Sequence, residues 1–336
     1  MHSMFCCLKY SLPFICIYLW YLKLWIANAM ETGKKAFMGT FIGHILPALA
    51  LIFLGLWHTI NTIRAYCLKG STNFNVKFWY PFHGPLSRLK HLELILILFF
   101  SVFAILMQLL DFPFLHLAFK LDNFEHATMF LHLAIFAGFT LCTEITHSSE
   151  ILSVISGILA SSVFGQELFL LHFHSTDHVG LEGHYHWLLQ LSVFVSFVSA
   201  LAVTSFPSSF PAALVLSISV VFQGCWFMIM GFVLWIPGFI PKGCAMQLPE
   251  ASNHGIHGAV TCGSIDADLR ARALANLQFS WILAGILLFT GCVCLKLAGR
   301  CTSRGQSTEY EQLCIRDAIR SDCDEIATLT FIDHGR

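Results

Sequence analysis

Seven apolar blocks, each about twenty residues long, constrain this chain more than any other feature. At about 1.5 Å per helical residue, twenty residues cross about 30 Å of hydrocarbon. The blocks run 41–60, 92–110, 124–143, 151–171, 187–204, 212–236 and 276–297. Pro81, Pro85, Pro207, Pro211, Pro237 and Pro241 punctuate the turns between them. Composition agrees, since 56% of the 336 residues are hydrophobic and only 12% are charged, too few charges to cover a soluble fold. The expected fold is an all-α integral membrane protein, a seven-transmembrane-helix bundle whose first partner is the lipid bilayer. With a net charge of −1 and no basic run, nucleic-acid binding has no electrostatic support.

The chain divides into an N-terminal extension (1–37), the membrane domain (38–300) and a polar tail (301–336) expected to be flexible and cytoplasmic. The extension has two readings. Its early Lys9, short apolar stretch 11–22 and Ala27-Asn-Ala29 resemble a signal peptide, and Met38 offers an alternative start that makes the segment optional. Basic residues set the orientation. The first loop and the C-terminal flank hold Arg64, Lys69, Lys77, Arg88, Lys90, Lys296, Arg300 and Arg304 on one side. Fewer lie opposite: Lys34, Lys35, Lys120, Lys242, Arg270 and Arg272. The N-terminus is therefore expected outside or in the lumen, and the C-terminus in the cytoplasm.

Seventeen histidines are present, and in this orientation many gather on the luminal side. They include His44, His116, His126, His172, His174, His178, His184, His186, His254 and His257, accompanied by Glu125, Asp177 and Glu182. Imidazole and carboxylate are ligands for zinc and other divalent metals. The densest run makes His172, His174, His178 and His186 candidate metal ligands, with a polar interfacial loop as the plainer reading. Alternate histidines share a direction only in extended backbone.

Deeper in the spans, Glu125 and His132 lie seven apart on one helical stripe with Thr128 between them, and Thr143 and His147 continue it. Glu167 and Gln190 sit about one turn inside spans four and five. Polar groups at membrane depth turn inward. His44, Glu125, His126, His132, Glu167 and Gln190 are therefore candidates for a ligand or proton pathway. A Glu125–His132 or Glu167–His186 pair that merely holds helices together is the structural alternative. If the polar groups converge, Glu125, His132, His172 and His186 surround one cavity on the luminal face.

Ser153, Gly157, Ser161 and Gly165 form a small-residue face that lets a helix approach closely, inside the bundle or in a homo-oligomer. Trp57, Trp79, Tyr80, Tyr185 and Trp187 fall where interfacial aromatic belts are expected. Of thirteen cysteines, Cys244 and Cys262 share a luminal loop and are expected to form a disulfide. In the tail, Tyr310-Glu-Gln-Leu313 has the form read by sorting adaptors, and Cys301 is a candidate for palmitoylation. No phosphate loop, nucleophile elbow or His-Glu-x-x-His motif occurs, so the commoner kinds of catalysis have no sequence support.

Five motifs carry a resemblance: Gly43-His-Ile-Leu-Pro47, Gly55-Leu-Trp-His58, Glu125-His126, Glu144-x-x-His147 and the run from His172 to His186. Through them the chain, over about 38–300, resembles the transmembrane protein 45 family. The resemblance implies a seven-helix protein of secretory, endosomal or plasma membranes, with no assigned reaction. Three functions stay open: a transporter-like protein binding a proton, cation or small ligand, a trafficking adaptor or scaffold, and a metal-dependent intramembrane hydrolase.

Overall fold

Each apolar block forms one helix, because a backbone in lipid must satisfy its hydrogen bonds within the segment. The computed structural model describes residues 35–82, 90–111, 116–117, 121–146, 150–173, 180–246 and 260–332. The helices are α1 (Lys35–Asn73), α2 (Leu92–Leu109), α3 (Leu121–Ile145), α4 (Glu150–Phe173), α5 (Gly180–Ser205), α6 (Phe210–Trp235) and α7 (Ile265–Ile332). Among the described residues, these seven are long and apolar enough to span a membrane. Two short antiparallel pairs join β1 (Leu110–Asp111) to β2 (His116–Leu117) and β3 (Cys244–Met246) to β4 (Val260–Cys262).

Three helices overrun their apolar blocks, and each overrun moves residues assigned to loops onto helix. α1 continues to Asn73, with Gly70 near its end at φ 75°, a conformation that glycine adopts without the Cβ penalty. α5 starts at Gly180, so Glu182, His184 and His186 are helical. α7 starts at Ile265 and gains an Asp268–Arg272 pair one turn apart. Its helical backbone then runs through the polar tail to Ile332, where composition predicts a flexible segment. No proline interrupts this stretch, so a helix anchored by a span can propagate past it.

Successive helices pack side by side from α2 to α6, and α1 returns to lie along α6. α6 is the most buried of the seven and α7 the least. Entry into α6 is fixed by Ser209, whose hydroxyl accepts from the Ala212 N–H, and by a proline in the first turn. Glycine decides how closely α1 and α6 approach. A Cβ on Gly55 would stand 2.6 Å from the Val221 nitrogen, and one on Gly224 would stand 2.7 Å from the Ile52 nitrogen. The main hydrophobic cluster joins α5, α6 and α7 around Tyr185 and Trp226, whose rings stack at 5.2 Å.

The small-residue face of α4 is used within the chain. Gly157 is backed by Thr204 and Gly165 by Phe197, both on α5, while Ser161 is buried and Ser153 exposed.

The two ends of the bundle differ. At one, called here the first-loop end, α1 finishes and α2 begins. At the other, the hairpin end, β3–β4 sits against α5 with Val260 fully buried. There Cys244 and Cys262, directly opposite in register, are joined at 2.02 Å. Closing an 18-residue separation contributes about 3 kcal/mol. Cys244→Ser is therefore expected to lower thermal stability in detergent, and dithiothreitol to affect only the wild type. Equal melting of wild type and variant under oxidising conditions would show that the bond does not hold the hairpin.

Candidate functional site: a buried carboxylate beneath the first loop

Glu93 stands one residue inside α2 and is only 4% exposed. A lone carboxylate in such a place must be satisfied by donors, and it is. Its Oε1 lies 2.7 Å from His58 Nε2. Its Oε2 accepts from Trp57 Nε1 and from the Tyr80 backbone N–H, both at 2.9 Å. Trp57 and His58 are consecutive on α1 and flank one carboxylate, which ties α1 to α2.

The segment after α1 folds back over this pair. Val76 N–H bonds to the Pro207 carbonyl at 2.8 Å, and Phe74 is buried against Tyr66 and Phe210. Trp79 Nε1 donates to Glu144 Oε1 at 3.0 Å, and the Tyr80 hydroxyl meets Thr62 Oγ1 at 3.0 Å. Burial raises the Tyr80 pKa above the ordinary phenol value. The Thr62 hydrogen bond opposes this rise and the Glu93 charge adds to it, so the hydroxyl stays neutral. Residues 74–80 thus form a strap held to α1, α2, α3 and the α5–α6 turn.

Under the strap lies a cavity of about 90 Å³, walled by α1, α2, α3, α4 and α6. Ile97, Phe136 and Phe164 make its walls apolar, and His58, Thr62, Lys77 and Glu93 bring polar groups to the strap. The Thr62 hydroxyl is engaged by Tyr80.

The hairpin end distributes its polar groups as pairs. His186 is buried, with Nδ1 3.0 Å from the Glu182 carbonyl and its ring 6.4 Å from that of His44. His184 turns elsewhere, meeting Asn276 of α7 at 2.9 Å. The divergence follows from the helix, where residues two apart lie about 200° apart. His172 is exposed and 3.3 Å from Gln190, which itself donates to the Leu171 carbonyl at 2.9 Å. His132 is 3.5 Å from Ser162. Glu125 and Glu167 are half-buried and His126 is exposed.

Glu125, His132, His172 and His186 do not line the cavity described above. Among the described residues, no three His, Cys, Asp or Glu are grouped to hold a metal. His147, His174, Asp177, His178, His254 and His257 lie outside the described residues.

Trp79, Tyr80 and Tyr185 correct the aromatic-belt expectation, being 5%, 6% and 0% exposed. Each has a polar atom committed inside the fold, Tyr185 through its hydroxyl to Gln278 at 2.7 Å. Trp57 is half-buried beside Glu93, and of the five only Trp187 is exposed.

Residues 153–295 match the model of a family of unknown function, DUF716. It is the family shared by transmembrane protein 45 proteins. The DUF716 match takes in most of α4, all of α5 and α6, the β3–β4 hairpin and the apolar part of α7. It therefore includes the Phe164 and Val220 walls of the cavity, while His58 and Glu93 precede it. Sequence reasoning placed His58 and Glu144 in motifs without assigning them a partner, and it passed over Glu93. The available signal was one carboxylate inside the apolar run Leu92 to Leu109.

Proposed function

We propose that this chain is a transporter-like membrane protein that takes a small ligand into the cavity and exchanges a proton at the His58–Glu93 pair. One observation carries the reading: an imidazole and a carboxylate in contact at 2.7 Å, at the polar end of an otherwise apolar chamber walled by five helices. Ionisable groups buried within a membrane bundle mark ion and proton paths by default, and an imidazole can both take and give a proton.

The polar groups at the hairpin end supply the opposite mouth in this reading: His44, His172, His186 and Gln190, with Glu125, His126, His132 and Glu167 nearer α3 and α4. Between the ends, the α5–α6 seam offers Ser196, Ser219 and Gln223, linked by hydrogen bonds of 2.6 Å and 2.7 Å. The Cys244–Cys262 bond supports a luminal or outside hairpin end. With the basic residues of the first loop, it favours a cytoplasmic strap and C-terminus in secretory, endosomal or plasma membranes.

The adaptor reading rests on Tyr310 and Leu313. Their helical backbone would have to unwind for a partner that reads extended peptide. A zinc-dependent hydrolase would draw on His174 and His178 together with His172 and His186.

Trp57 reports on the pair directly. In nanodiscs, titration from neutral to acid pH is expected to change tryptophan emission in the wild type. The change should be largely lost in Trp57→Phe and should move along the pH axis in Glu93→Gln, where the His58 imidazole protonates without its carboxylate partner. Matching profiles for wild type and Glu93→Gln would remove the proton from the proposal.

A further inference from the structure

A second carboxyl within the bundle lies outside the site beneath the strap. Glu167 stands six residues before the end of α4, about 9 Å along the helix at about 1.5 Å per residue. Its side chain is half-buried, and its carboxyl lies deep among protein atoms. Helical spacing fixes what it faces. Ala160, Val163 and Phe164 line the cavity from α4. At about 100° per residue, Glu167 falls between Val163 and Phe164 on the same stripe, one turn nearer the hairpin end. The exposed Val154, Ile158 and Phe169 take the opposite side of the helix, toward lipid.

Glu167 has no hydrogen bond or ion pair among the described residues, whereas both oxygens of Glu93 are taken by donors. The titratable groups on the helices packed against α4 are engaged elsewhere. On α3, His132 meets Ser162, and Glu125 and His126 have contacts of their own. On α5, His184 meets Asn276, Tyr185 meets Gln278 and His186 meets the carbonyl of Glu182, while the Glu182 side chain faces solvent less than fully. Burying a bare carboxylate costs far more than burying a protonated one. A metal ion would need further ligands, and no three His, Cys, Asp or Glu are grouped among the described residues.

We propose that Glu167 is a proton-binding site, a second station on the hairpin side of the cavity. The assignment rests on the proton exchange proposed above, to which it adds the next carrier. An O–H bond forms on a carboxylate oxygen when a hydronium ion gives up its proton, and the same bond breaks when water takes the proton back. The cavity has room for a few water molecules between the His58–Glu93 pair at its strap end and the α4 wall that leads to Glu167.

The test uses the full chain in phosphatidylcholine nanodiscs, with the hydrophobic reagent dicyclohexylcarbodiimide as the probe. It reacts with a protonated carboxyl, so peptide mapping after labelling reports where the proton resides. Glu167 is expected to be labelled, at a rate that falls about tenfold per pH unit once the carboxyl ionises. Glu167→Gln should lose this label. Glu167→Asp, which keeps a carboxyl, should retain it and serves if the glutamine variant melts early. Infrared difference spectra between acid and alkaline pH give a second reading, a carboxyl C=O band that shifts on deuteration. One component of that band should persist in Glu93→Gln and vanish in Glu167→Gln. An unlabelled Glu167, a label independent of pH, or a band unchanged in Glu167→Gln overturns the assignment. Labelling that sodium ions suppress at fixed pH also overturns it, because that marks a cation site. The Trp57 titration reads the His58–Glu93 pair instead. A silent Trp57 beside a pH-dependent label at Glu167 would fail the broader reading and leave this site in place.

Discussion

Gly224→Leu is expected to prevent α1 and α6 from packing, at a cost of about 3 kcal/mol. The reason is geometric. Even the first carbon of a side chain at Gly224 would lie 2.7 Å from the Ile52 nitrogen and 2.8 Å from the Ala48 carbonyl oxygen, backbone atoms that cannot rotate away. Separating the helices would also part Gly55 from Val221 and open the cavity wall between Gly55 and Val220. In lipid, where apolar surface gains little by leaving the solvent, such close contact supplies much of the helix association. Gly285→Ala is the control, because a Cβ there meets nothing within 4 Å and better helix propensity adds about 0.5–1 kcal/mol. Thermal unfolding in detergent checks both. If Gly224→Leu melts with the wild type, the close crossing of α1 and α6 is wrong.

Glu93→Ala is expected to cost about 3–5 kcal/mol, because several groups meet on this one buried carboxylate and lose it together. It leaves Trp57 Nε1, the Tyr80 N–H and His58 Nε2 without their acceptor, and buried donors without partners cost about 1–3 kcal/mol each. The strap should loosen with it, since Tyr80 is held to α2 through this carboxylate. Limited proteolysis near residues 74–82, alongside thermal unfolding, measures the two effects. Glu93→Gln keeps one carbonyl acceptor and should fall between wild type and alanine. Glu144→Ala, which among the described residues loses the single Trp79 bond, should cost less than either. An alanine variant as stable and as protease-resistant as the wild type would show that Glu93 does not organise this end.

These two residues show where sequence reading stopped. Gly224 lies in a helix that is apolar on every side, and such a pattern specifies burial without naming the facing helix. Glu93 reads as an ordinary charge at the end of a span. Only when α1 brings Trp57 and His58 beside it, and the strap adds the Tyr80 N–H, does it become the centre of a site. Trp79, Tyr80 and Tyr185 were misplaced for the same reason. An amphipathic ring near a span end suits the lipid interface and an internal hydrogen bond equally well, and a donor's partner is set by tertiary contact.

What the sequence by itself determined is what local physics determines. Apolar blocks long enough to cross hydrocarbon fix seven helices, because lipid leaves the backbone no other way to satisfy its polar groups. Prolines and polar runs mark the ends of blocks, although helix propagated beyond them at Asn73, Gly180 and Ile265. The Cys244 and Cys262 pairing was legible because both thiols share one loop. The tertiary structure alone decided which polar groups meet. His184 and His186 are neighbours in sequence and part company on a helix. His58 and Glu93 are 35 residues apart and touch, because burying a carboxylate in this environment is tolerable only where donors converge on it.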